Sequence, residues 1–299
     1  MSLIQYPFKP LRVQVRQGLH LSCIDVGPRN APVVLMLHGN PSWSYYWRHL
    51  ITALSPLYRC IVPDHMGMGY SDKPSDSEYC YTLQSRIEDL TILLKELDVH
   101  TPVTLIVHDW GGMIGFGWAC ANQASVARLV ITNTAGFLLP HKARLPWYIH
   151  LGRAHVMGEL VVRGLNAFAL GAAWCGVERP MPTEVRRAYC APYDSWAHRI
   201  AIIRFMQDIP LHPNDLAWAI VVAVEQQLPQ LANKPTLIAW GLQDAVFTET
   251  FFVQFQKIFS NAKILRYPDA GHYVLEDKSE TLSQEVLDFL RNTQDALLD

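Results

Sequence analysis

Three short, uninterrupted apolar runs limit what this chain can become: Val33–Leu37, Val103–Val107 and Leu237–Trp240. Each follows a proline, at 32, 102 or 235, and each gives way to a polar or glycine-containing turn. Runs this short and this apolar, without alternation, are the pattern of strands buried on both faces inside a parallel sheet. Weaker strand signals lie at Cys60–Val62, Arg128–Ile131 and Lys263–Tyr267. Between strands, Leu83–Leu97 places apolar residues at 83, 87, 90, 93, 94 and 97, one face of a helix. Strands alternating with helices predict an α/β fold with a mostly parallel, doubly wound sheet, which takes ligands at the carboxyl ends of its strands.

The rhythm breaks between about 137 and 211, where the chain is rich in Trp, Tyr, Arg and Ala and carries helical but no strand signals. We read a helical cap at 138–212 inserted into a core made of 1–137 and 213–299. One core with a modest insertion suits 299 residues, and no repeat, low-complexity tract or linker suggests otherwise.

A net charge of -2 with no Lys/Arg cluster makes nucleic acid an unexpected partner, and the overall balance does not favour an anionic membrane surface. The N-terminus lacks the cationic start and apolar run of a signal peptide, and no apolar stretch reaches the length of a transmembrane helix. Six scattered cysteines without a CxxC pair read as reduced thiols, which makes the cytoplasm the expected compartment. Metal-ligand spacings such as HExxH are absent, so chemistry without a cofactor is expected.

The chemistry is carried by Val107-His108-Asp109-Trp110-Gly111-Gly112. It follows a strand and opens a helix, the context of the sharp turn that lifts a nucleophile above a sheet. Here the raised position holds Asp109, whose carboxylate can attack carbon without first losing a proton. The plainer reading, an Asp capping the next helix, weakens once its partners are counted. Asp244 follows the strand ending at Trp240, and His272 follows the strand ending near Tyr267. Nucleophile, acid, His is the chain order such a triad requires. Asp244 is expected to orient the imidazole and His272 to act as base or proton donor. Asp269 is a rival acid better placed to shape the turn.

His38-Gly39-Asn40-Pro41, after the strand ending at Leu37, occupies the oxyanion-loop position. The backbone N–H groups of Asn40 and Trp110 are candidates to hold negative charge on a carboxyl oxygen, and their side chains offer two more donors toward a halide or leaving carboxylate. His38 and Asp64 read as structural. Trp43, Tyr45, Tyr46 and Trp47, with Trp147, Trp174, Trp196 and Phe205 of the cap, are candidates to line an apolar pocket or to pack as core.

In HGNPSWSYYWR, PDHMGMGYSDKP, VHDWGGMIGFGWA and DAGHYVLEDKSE the chain resembles the haloalkane dehalogenase family of α/β-hydrolases over nearly its whole length. The segment Asn133-Thr134-Ala135 lacks the acid that one subgroup carries after its sixth strand. Asn40 together with Asp244 is similar to the third subgroup, which includes the β-lactone decarboxylases of bacterial long-chain olefin biosynthesis. The cap segments NAFALGAAWCGVERPMPTEVRRAYCAPYDSW and RFMQDIPLHP look more like those decarboxylases than ordinary dehalogenases. The resemblance implies a cis-3,4-dialkyl-oxetan-2-one as substrate, a cis-alkene and CO2 as products, and association with other enzymes of the pathway. Dehalogenation of small haloalkanes is the alternative. Epoxide hydrolysis needs two cap tyrosines facing Asp109, for which Tyr148, Tyr189 and Tyr193 are candidates. A non-catalytic receptor is disfavoured because all three catalytic positions hold competent residues.

Overall fold

The computed structural model describes residues 3–141 and 143–293. Its strands are β1 (Leu11–Arg16), β2 (Leu19–Val26), β3 (Val33–Leu37), β4 (Arg59–Pro63), β5 (Val103–Asp109), β6 (Val126–Thr134), β7 (Thr236–Gly241) and β8 (Lys263–Tyr267). They form one sheet in the order β1-β2-β4-β3-β5-β6-β7-β8. From β4 to β8 every neighbouring pair is parallel, and Leu35 of β3 pairs with Ile61 on one side and Leu105 on the other. Every residue of β3 to β7 is buried, as the unbroken apolar runs predict for strands covered on both faces.

The sequence reading did not identify β1 and β2. Both are antiparallel to their neighbours and lie at one edge of the sheet, where β1 is largely exposed. An edge strand with water on one side has no continuous apolar run to betray it; only the weak alternation of LRVQVR does.

Helices cover both faces. The helix Leu83–Glu96 is capped by Thr82, whose hydroxyl accepts from the Ser85 N–H at 3.2 Å. Between β6 and β7 the described residues form helices and loops but no strand: Trp147–Arg153, His155–Gly158 continuing as a π-type turn to Gly164, Ala167–Cys175, Thr183–Cys190 and Ile200–Gln207. The following helix, Trp218–Gln227, packs on the core helix Trp110–Ala121.

Buried polar links tie the inserted helices to the core. Arg86 donates to Asp208 at 3.2 Å, and both Tyr189 and Arg48 bond Glu276. The insertion is therefore held at fixed points over the carboxyl ends of β3 and β5 to β8.

Candidate active site

Asp109 is the last residue of β5, with φ +50° and ψ -128°, and the helix Trp110–Ala121 starts at once. A side-chain-bearing residue held there costs about 1–3 kcal/mol, which persists only because strand and helix fix both ends of the turn. The turn is tight enough that a Cβ on Gly111 would lie 2.0 Å from the Leu37 carbonyl oxygen. The result lifts the Asp109 carboxylate off the sheet while leaving it only 7% exposed.

Its two oxygens have different surroundings. Oδ1 accepts the Asn40 backbone N–H at 2.6 Å, and the Trp110 N–H also donates to the carboxylate. The loop must pass close for this: a Cβ on Gly39 would stand 2.0 Å from Oδ1. Oδ2 faces His272, whose Nε2 is 3.8 Å away, beyond hydrogen-bond range but well within reach of charge. Burial pushes the Asp109 pKa above the ordinary carboxylate value, only partly offset by His272 and the two backbone donors.

The other face of the imidazole meets Asp244, with Nδ1 to Oδ2 at 2.8 Å. Asp244 is fully satisfied: Val246 and Phe247 donate their N–H groups to Oδ1, and Asn133 Nδ2 donates to Oδ2 at 2.9 Å. Burial works against its charge, yet His272 and these donors hold its pKa below the usual range. Burial likewise opposes a charged His272, but Asp244 and then Asp109 outweigh it, and the imidazole pKa is raised. Phe247 stacks over the ring at 18°. Asn133 is the residue that sequence reasoning noted only as a missing acid. It anchors Asp244 and also clamps Gly241, donating to its carbonyl and accepting its N–H. Asp269, the rival acid, is paired with Lys278 away from the imidazole.

One expectation needs correction. The Asn40 side-chain amide does not simply point into the pocket. Its Nδ2 donates to the Ile202 carbonyl at 3.0 Å, so it straps the loop to the inserted helices and leaves one amide N–H uncommitted. Of the aromatics offered either as pocket lining or as core, Trp147 lines the cavity and the others do not. Trp43, Tyr45, Tyr46 and Trp47 are fully buried core, Phe205 packs on Trp110, and Trp174 and Trp196 lie on the surface.

The cavity above Asp109 has a volume of about 430 Å³ and an overwhelmingly apolar lining that includes Phe137, Trp147, Tyr148, Phe168, Phe247 and Met206. The few polar residues of its lining include Asn40, Asp109, Trp110, Tyr148, Gln243, Asp244 and His272. That combination takes an apolar substrate and presents one carboxylate to it. Of the three candidate tyrosines, only Tyr148 lines this cavity; Tyr189 bonds Glu276, and the Tyr193 hydroxyl donates to the Ser42 carbonyl.

The model of the alpha/beta hydrolase fold family matches residues 32–279. The chain belongs to that family. This hydrolase-fold protein is 54% identical over 97% of its length to a cis-3-alkyl-4-alkyloxetan-2-one decarboxylase of Xanthomonas campestris pv. campestris, of which 98% is covered. It is 47% identical over 93% of its length to a protein of the same name from Shewanella oneidensis, 87% of which is covered. Among solved structures, a haloalkane dehalogenase from Bradyrhizobium elkani superposes on the hydrolase-fold chain with a TM-score of 0.86 at 25% identity. The match covers 97% of this chain and 99% of that one.

Proposed function

We propose that this protein is a cis-3-alkyl-4-alkyloxetan-2-one decarboxylase, which converts a β-lactone to a cis-alkene and CO2 with Asp109 as nucleophile. The observation that carries the reading is the 54% and 47% identity to proteins of that name over nearly the whole chain. The site supports it: an apolar cavity is fitted with one carboxylate, one imidazole and no other charged group besides Asp244 among its described lining residues.

In this reading residues 138–212 form the cap over a core of 1–137 and 213–299. The free Oδ2 of Asp109 attacks the ring carbon that bears the lactone oxygen. An ester bond forms as the ring C–O bond breaks, and the electron pair leaves as a carboxylate. The C–C bond to that carboxylate then breaks: its electrons form the alkene, CO2 departs, and Asp109 recovers its electron pair. Inversion in the first step followed by anti departure in the second carries a cis lactone to a cis alkene. Attack at the carbonyl instead leaves an alkoxide in place, and alkene formation then has to expel hydroxide. The Trp110 indole and the remaining Asn40 N–H stabilise the carboxylate as it leaves the ring. Asp244 favours the protonated form of His272, and in that form the imidazole balances the charge of Asp109.

The balance consumes no water, unlike dehalogenation, the second reading, which the haloalkane dehalogenase likeness keeps in view. Association with the enzymes that make the lactone, and a cytoplasmic location suggested by free cysteines, belong to the same proposal. The experiment is to incubate the protein separately with a synthetic cis-β-lactone, 1,2-dibromoethane and styrene oxide. Alkene formation, lost in Asp109→Ala, is the expected result; bromide or diol without alkene overturns the reading.

A further inference from the structure

Large apolar side chains are distributed unevenly over the surface. Of fifteen that are exposed among the described residues, nine lie between Leu139 and Trp196. They concentrate on two successive helical stretches, His155–Gly164 and Ala167–Cys175, which meet at 66°. Val156 and Leu160 are four apart and share one helix face, as do Leu170 and Trp174; Leu165, 71% exposed, stands at the corner between them. Exposed apolar side chains clustered on two adjoining helical stretches, with the Arg186 guanidinium lying over the Trp174 ring at 3.7 Å, are the composition of an interaction site rather than of ordinary solvent-facing helix. Only two charged residues other than His occur in this stretch, Glu159 and Arg163, and they pair with each other at 2.8 Å.

Charge is divided in the same sense. Residues 138–212 hold nine Lys/Arg against five Asp/Glu, while the rest of the chain holds 16 against 22. The net value of -2, which argued against an anionic surface, averages a basic insertion with an acidic core. Arg144, Arg179 and Arg187 are exposed on that insertion beside the exposed acids Glu178, Glu184 and Asp194, so its cationic excess lies mainly in the half-buried Arg153, Arg163, Arg186, Arg199 and Arg204. Three residues that line the cavity, Leu139, Trp147 and Cys175, also reach the surface in the same region.

We propose that the outer face of His155–Cys175 seats this protein on an anionic lipid surface, with the entrance of the apolar cavity against the bilayer. No single described helix is long and apolar enough to cross a membrane, and the bent pair suits lying in the interface. The basic insertion is drawn to anionic headgroups while the acidic core is turned away from them. The face also suits a dialkyl substrate and an alkene product, which enter and leave through lipid rather than water. That last point rests on the decarboxylase reading; the docking itself does not.

The test is flotation of the intact protein with phosphatidylcholine vesicles, with and without about one-third phosphatidylglycerol. The expected result is about tenfold more protein bound to the anionic vesicles, falling as salt is raised. Combining Val156→Glu, Leu160→Glu and Leu170→Glu, with folding checked by circular dichroism, reduces binding by about tenfold or more. Should the triple variant not fold, quenching by brominated lipids answers instead: Trp174 contributes a quenched component that Trp174→Phe lacks. Wild-type protein that stays at the bottom of the gradient overturns the proposal. So does a folded triple variant that floats like wild type, an unquenched Trp174, or light scattering that shows a dimer dispersed by the triple substitution. Flotation needs no turnover, so its failure and failure of the decarboxylase reading are separately visible.

Discussion

Asp109 Oδ2 and His272 Nε2 stand 3.8 Å apart, a distance that couples their charges without joining them by a hydrogen bond. The gap suits two chemistries that ask different things of His272. Hydrolysis of a covalent ester needs the imidazole to activate water, whereas decarboxylative release needs it only as a positive neighbour. His272→Asn is therefore expected to lower repeated turnover of 1,2-dibromoethane by about 10³-fold or more, leaving one bromide released per site. Alkene formation from a cis-β-lactone is expected to fall only about 10–100-fold. Equal losses in the two assays count against a water-free decarboxylation.

Asn133 holds Asp244 and the Gly241 backbone through three hydrogen bonds in a fully buried setting. Asn133→Ala leaves those groups unpaired and frees Asp244 to turn. Denaturant unfolding is expected to show a loss of about 2–4 kcal/mol. The kcat for alkene formation is expected to drop about tenfold or more while KM stays within about twofold, since the residue does not line the cavity. A raised KM with unchanged kcat contradicts this positioning role.

The pH profile follows from the shifts at the site. Asp109 must be ionised to attack, and its pKa is raised from 3.8, so the acid limb of kcat/KM is expected above the ordinary carboxylate range. A limb at or below 3.8 contradicts the burial argument. The same shift has a stability cost: the folded state binds that proton more tightly, so stability falls as pH rises from 3.8 through the folded value. His272 acts in the opposite way to a buried neutral His, because its pKa is raised: its contribution is full below 6.5 and lost as pH rises through the folded value. Asp244, with a depressed pKa, contributes above 3.8 and loses that contribution as pH falls through its folded value.

Asp208 joins the inserted helices to Arg86, which is fully buried and lies over the Phe205 ring at 3.7 Å. Burial raises the Asp208 pKa to about 6, with Arg86 only partly offsetting it. Asp208→Asn leaves a buried guanidinium without its counter-charge, and a loss of about 3–5 kcal/mol is expected in thermal or denaturant unfolding. Because Phe205 packs on Trp110, the variant is also expected to lose alkene formation at temperatures below its global Tm. Unfolding indistinguishable from wild type shows that the ion pair contributes nothing net.

The amino-acid sequence by itself determined the buried central strands, the turn carrying Asp109 and the order in which Asp244 and His272 follow. Those features are local: an unbroken apolar run specifies a strand covered on both faces, and glycines beside a strand end permit the sharp turn. The edge strand β1 escaped because exposure on one side dilutes its pattern, and β2 because His20, Ser22 and Asp25 interrupt its apolar residues. Only the tertiary structure decided that the Asn40 amide straps to Ile202, 162 residues away, and that Asn133 rather than an acid supports Asp244. It also decided that Trp43 to Trp47 fill the core while Trp147 and Phe247 line the cavity. A side chain's type limits the partners it can accept, but which partner stands beside it is fixed by how distant elements pack, and no local periodicity records that.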